Sequence, residues 1–160
     1  MTSLSLSIGS ADVQARVRQR LTGLNPAARR VVWRSATQAV LIYVDRIQAR
    51  LLRGWLVVGL ELETDQTGRQ SLELVYCLGS RQDGDGTGAA VRINAPTRDG
   101  AMLAEVWGDD LQRVIWDAVL DAIQVALQRA GREHPNEPLT LRGFLATPEG
   151  LQVNVVTGTL

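Results

Sequence analysis

Lysine is absent from the 160 residues, and all 17 basic side chains are arginine. Without lysine the chain lacks the phosphate-binding residue of a P-loop and the amine needed for Schiff-base or pyridoxal chemistry. One cysteine, Cys77, and one histidine, His134, are too few for an internal disulfide or a closed zinc site. We therefore expect no metal and no cofactor, and we expect a reducing, cytoplasmic setting.

Motifs for nucleophilic catalysis are also missing. The sequence contains neither the Gly-x-Ser-x-Gly turn of a serine hydrolase nor the Gly-x-Gly-x-x-Gly turn of a dinucleotide-binding domain. Cys77 lies in a predicted strand, where a buried cysteine behaves as a small apolar residue. His134 follows a predicted helix end, where exposure is the norm. No residue is identified as catalytic, and we expect a protein that is not an enzyme.

Long apolar runs are absent as well. No run approaches the roughly 20 residues that cross a bilayer. The N-terminal residues contain no basic side chain ahead of an apolar core. We therefore expect neither a membrane partner nor a secretory signal. A chain of this length forms one domain as a rule, and we predict a single domain over residues 1–160.

Charge is balanced overall but unevenly distributed. Residues 1–53 contain nine arginines and two carboxylates, for a net charge of +7, whereas residues 54–160 contain eight arginines and fifteen carboxylates, for −7. The basic region could contact phosphates, but the chain is not basic overall, and Trp33 and Tyr43 lie in apolar stretches. We favour mutual pairing of the two regions, within one chain or across a subunit contact, over a solvated face or a nucleic-acid partner.

Three segments have the periodicity of amphipathic helices. Residues 109–131 have a wide apolar face, with Asp109 as the expected N-cap. Residues 11–21 form a short basic helix. A second long helix is predicted over residues 26–52, because Asn25-Pro26 supplies a capping residue followed by proline at the first helical position.

Alternating apolar residues predict six strands. The predicted strands are residues 55–64, 70–78, 90–95, 101–107, 139–146 and 151–157. Residues 101–107 are rich in good helix formers, so a helix is the alternative there. The alternation in residues 4–8 indicates a further, short edge strand. Short turns between consecutive strands, including one at residues 96–100, predict antiparallel pairing.

The order of elements is α, α, β, β, β, β, α, β, β, which predicts an α+β fold. We expect an antiparallel sheet of five to six strands, a meander of hairpins, with two long helices and one short helix packed mainly on one face. This order resembles that of the small dimeric chaperones of bacterial type III secretion and their cytoplasmic relatives. A long helix on a small sheet also resembles several phage tail-completion and neck proteins. The first resemblance implies a dimeric, chaperone-like binding protein.

A glycine-rich acidic loop is predicted at residues 79–88. Its Asp83, Asp85 and Thr87 match the first, third and fifth ligand positions of a calcium-binding loop. The twelfth position is Asn94 where such a loop has glutamate, and both flanks are predicted strands. We therefore interpret the segment as a solvated loop.

The middle of the predicted helix 26–52 is apolar on every side. A helix with this property is covered on more than one face. We therefore expect a second cover, either the short N-terminal helix or another subunit. The residues predicted to form this interface are Arg30, Arg34, Leu41, Ile42, Val44, Arg46 and Arg50.

These patterns predict a non-enzymatic protein-binding or assembly module. We expect it to be homo-oligomeric and to present a sheet face or helix groove to a protein partner. The first alternative is a small ligand-binding protein or enzyme with a pocket between sheet and helices. Arg92, Arg142 and Glu105 would be its polar groups if they point inward. The second alternative is a phage-tail-like or conflict-system accessory protein.

Overall fold

The computed structural model describes residues 2–23, 25, 27–79 and 89–158, with the backbone alone at residues 89–91. The strands are β1 (Thr2–Gly9), β2 (Arg30–Arg34), β3 (Ala39–Tyr43), β4 (Gln48–Leu52), β5 (Trp55–Thr64), β6 (Gly68–Cys77), β7 (Ala89–Asn94), β8 (Leu139–Thr147) and β9 (Gly150–Thr157). The helices are α1 (Ser10–Thr22) and α2 (Arg98–Glu133), and a 3-10 turn covers Val44–Arg46. The predicted α+β class is confirmed.

The strands form two antiparallel sheets. The smaller sheet has the order β1-β9-β8, and the larger has the order β2-β3-β5-β6-β7 with β4 also paired to β5. The edge strand predicted from residues 4–8 is confirmed as β1, which pairs with β9 along its whole length. The final hairpin of β8 and β9 pairs with β1 and forms the smaller sheet with it. It therefore does not extend the meander of the large sheet, as a single sheet would require.

Backbone hydrogen bonds connect the two sheets at one corner. Gly54 N donates to Ala146 O at 2.9 Å, Leu78 N donates to Gly54 O at 2.8 Å, and Ala146 N donates to Leu78 O at 3.2 Å. These bonds join the turn between β4 and β5 and the end of β6 to the C-terminal end of β8. The corner fixes how the small sheet packs against the large one.

The helix predicted at residues 26–52 is wrong. Its first residue lies outside the described residues, and β2, β3, the 3-10 turn and β4 occupy the rest. A four-residue spacing of apolar side chains also fits the two-residue period of a strand. The segment is moreover rich in β-branched and aromatic residues, which pack well in sheets. Val40 and Ile42 are buried on the inner face of β3, and the β2–β3 hairpin replaces the helix.

The strand predicted at residues 101–107 and the turn at residues 96–100 are also wrong. Helix α2 begins after Thr97, whose Oγ1 accepts a hydrogen bond from Gly100 N at 3.0 Å, and it continues through Gly108 without a break. A Cβ at Gly108 would lie 2.8 Å from Cδ1 of Ile93 in β7. Gly108 therefore permits close packing of helix on strand, and it does not mark a boundary.

Both helices pack on the same face of the large sheet. Trp107 of α2 lies 6.4 Å from Trp33 of β2 between ring centroids, and the Tyr76 hydroxyl of β6 donates to Gln112 O of α2 at 2.9 Å. Ala49 N of β4 donates to the side chain of α1 residue Gln14. The core lies between this face and the helices. No helix in the described ranges combines the length and apolar character that a membrane crossing requires.

The buried hydroxyl of Tyr76 predicts a loss of stability in alkali. Burial raises the pKa of Tyr76 above its ordinary value of about 10. The contribution of the protonated Tyr76 to the free energy of unfolding is complete below pH 10. It decreases above pH 10, because only the unfolded chain then releases the proton. We expect Tyr76→Phe to cost about 1 kcal/mol at neutral pH for the lost hydrogen bond. The variant should also lose less unfolding free energy above pH 10 than the wild type, by about 1.4 kcal/mol per pH unit.

Urea unfolding of the wild type and of Tyr76→Phe between pH 7 and 11 measures both quantities. If the unfolding free energy of the two proteins had the same slope against pH above pH 10, Tyr76 would ionise freely in the folded state. Val32→Ala is a suitable control, because Val32 is exposed and does not ionise.

Candidate functional site

The face of the large sheet opposite the helices is the first candidate. Along β5, Leu56, Val58, Leu60 and Leu62 are buried toward the helices, so the residues between them face the other way. Both α1 and α2 pack against the inner face. We call the opposite side the open face, and it displays side chains from each strand of the large sheet.

Four apolar residues cluster at one end of the open face. Leu52 of β4 pairs with Trp55 of β5, and Val57 of β5 pairs with Val75 of β6. Leu52 is 49% exposed and Trp55 39% exposed, whereas Val57 is half-buried and Val75 is buried. We call these four residues the platform. Its two most exposed members lie side by side across neighbouring strands.

Arginines border the platform on both sides. Arg50 of β4 pairs with Val57, and Arg92 of β7 pairs with Val75, so the two guanidinium groups lie at opposite ends of one row across four strands. Arg50 Nη2 donates to Glu73 Oε2 at 3.2 Å, and this pair is largely exposed. Counted over the described residues, the border therefore has an excess of positive charge.

A charged cluster lies at the other end of the open face, beside the turn between β5 and β6. The Tyr43 hydroxyl donates to Glu63 Oε2 at 2.5 Å, and the guanidinium carbons of Arg69 and Arg30 lie 4.0 and 5.0 Å from the centre of its ring. Arg69 Nε also donates to Glu61 Oε2 at 2.6 Å. The hydrogen bond to Glu63 raises the pKa of Tyr43, with desolvation as the second cause. These contacts satisfy the carboxylates of Glu61 and Glu63 within the chain.

A break in the sheet next to this cluster forms a second candidate. β3 pairs with Leu62 and Glu63, whereas β4 pairs with residues up to Gly59, so Leu60 and Glu61 have no strand partner on that side. The 3-10 turn between β3 and β4 causes the break. We call the resulting cavity, of about 480 Å³, the notch. Its polar lining residues are Gln14, Arg18, Asp45, Arg46, Gln48, Glu61, Ser71 and Glu73.

Two further cavities are smaller. One of about 270 Å³ lies between α1, α2 and β1, and one of about 210 Å³ lies between the N-terminal half of α2 and two hairpin turns. Near the first, Arg20 Nη2 of α1 donates to Asp121 Oδ1 of α2 at 2.7 Å, and this pair lowers the pKa of Asp121. Together with Arg50–Glu73, it joins the basic N-terminal region to the acidic remainder.

The predicted interface residues fall into two groups. Ile42 and Val44 are fully buried within the chain, so of the two covers expected, the short N-terminal helix or another subunit, they do not need the second. A strand buried by its own helices and neighbouring strands replaces the helix that would have needed a second cover. The remaining residues are half-buried Leu41, exposed Arg30, Arg34 and Arg50 on the open face, and exposed Arg46 at the notch.

The residues predicted for a pocket between sheet and helices point elsewhere. Arg92, Arg142 and Glu105 are all exposed at the surface. His134 Nδ1 lies 3.9 Å from Glu137 Oε1, and Cys77 is half-buried at the end of β6. The calcium-loop residues Asp83, Asp85 and Thr87 lie outside the described residues. In the part of the chain that is described, no three acidic, histidine or cysteine side chains cluster as a metal site would require.

Sequence reasoning missed the platform and the notch. The alternation in β5 already indicated that Trp55 and Val57 share a face with Glu61 and Glu63. Leu52 and Arg50 were assigned to a helix, so the pairing of β4 with β5 could not be anticipated. Arg18 was read only as part of a basic helix, because nothing in the sequence shows that a sheet break lies beside it.

Comparisons with known proteins leave the chain unassigned. It matches no protein-family model, no curated protein and no solved structure. Function is therefore inferred from the geometry of the open face.

Proposed function

We propose that this protein is a protein-binding module whose platform holds an acidic segment of a partner with a large apolar side chain. The observation that carries the proposal is the pair Leu52 and Trp55, exposed side by side on a sheet face that both helices leave uncovered. Tryptophan and arginine dominate the energetics of protein interfaces, particularly when they surround a site that becomes dry on binding.

The size of the platform supports modest affinity. Covering apolar surface contributes roughly 25 cal/mol per Å², and association itself costs several kcal/mol. A partner side chain seated between Leu52 and Trp55 can offset this cost if flanking groups also bind. We expect a dissociation constant in the micromolar range, as is common for small, transient interfaces.

Charge determines the kind of partner. Arg50 and Arg92 border the platform on both sides, and Arg53 is exposed in the adjoining turn. Among the residues that the structure describes, the nearby carboxylate Glu73 is already bound to Arg50. Carboxylates on a partner segment would form charge-assisted hydrogen bonds with these guanidinium groups. A second copy of this chain would instead bring arginines against arginines if the platforms met face to face, so we favour a different protein.

Selection from a random peptide library tests this function. Peptides retained by the wild type should converge on an aromatic or large aliphatic residue flanked by Asp or Glu. Trp55→Ala should weaken the selected peptides at least tenfold, because truncating an exposed anchor removes its contacts without creating a cavity in the core. Arg92→Glu should also weaken binding of the selected peptides, and the loss of affinity should grow as the salt concentration is lowered. Fluorescence anisotropy with a labelled peptide measures each dissociation constant.

The matched control is Met102→Ala together with Val106→Ala. Both side chains are 51% exposed and lie on α2, on the opposite side of the sheet. Peptide affinity in this variant should equal that of the wild type. Selection of unrelated sequences, or equal affinity in Trp55→Ala, would overturn the proposal. A stable dimer of the 17.4 kDa chain that dissociates on Trp55→Ala would identify the occupant as a second copy.

A further inference from the structure

Strand β2 is an edge of the large sheet. It pairs with β3 on one side, and among the described residues no strand pairs with it on the other. Its Val32 side chain is about half exposed, so this part of the strand is open to solvent. An edge strand presents unpaired N–H and C=O groups, which are a template for an additional strand. β2 can therefore receive a strand from another molecule.

The pairing register shows which backbone groups of β2 are free. The β2–β3 hairpin closes at Ser35, whose N–H donates to Gln38 O at 2.8 Å, so these two residues form a hydrogen-bonded pair. Such pairs alternate with non-hydrogen-bonded pairs along an antiparallel ladder. Every second residue before Ser35 therefore bonds to β3. The residues between them direct their backbone N–H and C=O groups toward the free edge, and they are Arg30, Val32 and Arg34.

The side chains of the same three residues share one face of the sheet. Arg30 pairs with Tyr43 and Val32 pairs with Leu41, so all three side chains of β2 are on the open face. The Arg30 guanidinium lies over the Tyr43 ring. Within the described part of the chain, neither Arg30 nor Arg34 forms an ion pair. A strand added beside β2 would therefore meet an exposed apolar side chain between two available positive charges.

These charges disfavour a second copy of the chain as the added strand. Two β2 strands paired antiparallel about Val32 would place Arg30 of each copy opposite Arg34 of the other. Like charges directly opposite each other in a ladder are destabilising. Acidic side chains at the same positions would instead form charge-assisted hydrogen bonds with the guanidinium groups. The arginines therefore protect the edge from pairing with itself and favour an acidic strand.

We propose that β2 binds an extended acidic segment of a partner protein, which joins the large sheet as an antiparallel strand. The segment has an aliphatic residue opposite Val32 and an Asp or Glu opposite each of Arg30 and Arg34. Main-chain hydrogen bonds contribute the affinity of such strand addition, and alternate side chains contribute the specificity. This surface is separate from the platform. β3 meets β5 at Glu63, and Trp55 lies at the other end of β5, roughly 26 Å away at about 3.3 Å per residue.

Binding of a designed peptide tests the proposal. The peptide is acetyl-Thr-Glu-Thr-Val-Thr-Glu-Thr-amide, in which threonine favours the extended conformation. We expect it to bind the wild type with a dissociation constant in the micromolar range, measured by fluorescence anisotropy of a labelled copy. A peptide with lysine in place of both glutamates should bind about tenfold more weakly or worse. Amide hydrogen exchange at Val32 should slow in the complex, whereas exchange in β7, the opposite edge strand, should not change.

Removal of single N–H groups tests the main-chain hydrogen bonds. In the bound peptide the valine N–H donates to Val32 O, and the N–H groups of the adjacent threonines point away from β2. N-methylation of the valine should therefore weaken binding about tenfold or more, and N-methylation of an adjacent threonine should not. Val32→Pro removes the matching donor of the protein at an edge position that tolerates proline. Val32→Thr, which keeps the N–H, is its control.

Charge variants and a platform variant complete the test. Arg34→Gln should weaken binding, whereas Arg29→Gln, the same change just before the strand, should not. Trp55→Ala should leave the affinity for this peptide unchanged, so the edge and the platform can fail separately. Because the peptide series uses the wild type, it decides the proposal even if Val32→Pro does not fold.

Four results would overturn the proposal. The first is no detectable binding of the glutamate peptide, and the second is equal binding of the lysine peptide or of the peptide N-methylated at valine. The third is slowed exchange in β7 in place of β2. The fourth is loss of binding in Trp55→Ala with none in Val32→Pro, which would locate the peptide on the platform.

Discussion

Gly79→Ala should be among the most damaging single substitutions in the chain. Gly79 follows Leu78 at the corner that joins the two sheets, and its φ is +79°, a conformation that favours glycine. A Cβ here would lie 2.0 Å from Phe144 O and 2.6 Å from Leu145 Cα. These neighbours are backbone atoms of β8, so they cannot move without breaking the hydrogen bonds of the corner. We expect a loss of about 3–5 kcal/mol in unfolding free energy.

Thermal and urea unfolding measure this effect, and a loss of this size lowers the melting temperature by about 10 °C in a chain of this length. The control is Gly68→Ala, which has a similar φ of +65° but no atom within 4 Å of its Cβ. It should cost only about 1 kcal/mol for backbone strain. If both variants are equally stable, the corner between the sheets is not packed as described.

Ile42→Ala should have the next largest effect, at about 2–5 kcal/mol. Ile42 is fully buried in β3, between Val31 of β2 and Leu62 of β5. Alanine would leave a cavity between strands that hold each other by backbone hydrogen bonds, so little of it can collapse. Chemical unfolding of the wild type and the variant gives the difference directly.

Two controls separate this explanation from a subunit interface. Val32→Ala, on the exposed side of the neighbouring strand, should change stability by no more than about 0.5 kcal/mol. The unfolding midpoint of the wild type should also be independent of protein concentration, because its own chain buries Ile42. The explanation would be contradicted if the wild-type midpoint rose with protein concentration and the Ile42→Ala midpoint did not. That result would indicate that a partner subunit covers β3.

The sequence identified the elements whose pattern is unambiguous. The hairpin of β5 and β6 and the final hairpin of β8 and β9 were predicted nearly to the residue, because alternation and turn residues agree there. The helix predicted over residues 26–52 is wrong, because apolar residues four apart fit a strand as well as a helix. The strand predicted at residues 101–107 is wrong and its alternative, a helix, is observed, because Gly108 provides close packing against Ile93 and does not end an element.

The candidate sites depend on register, which a single sequence does not reveal. The platform exists because β4 and β6 both pair with β5 so that Leu52, Trp55, Val57 and Val75 meet on one face. The notch exists because β3 and β4 use the same edge of β5 with a gap between them. The exposed character of Trp55 became visible only with these pairings.

Amide chemical-shift mapping with a library-selected peptide tests the central claim most directly, since it reports where the partner binds on the folded chain. We expect the largest shifts at residues 50–57 of β4 and β5, at Val75 and at Arg92. Shifts confined to the exposed stripe of α2 around Met102 and Val106, or spread evenly over the chain, would contradict a binding site on the open face.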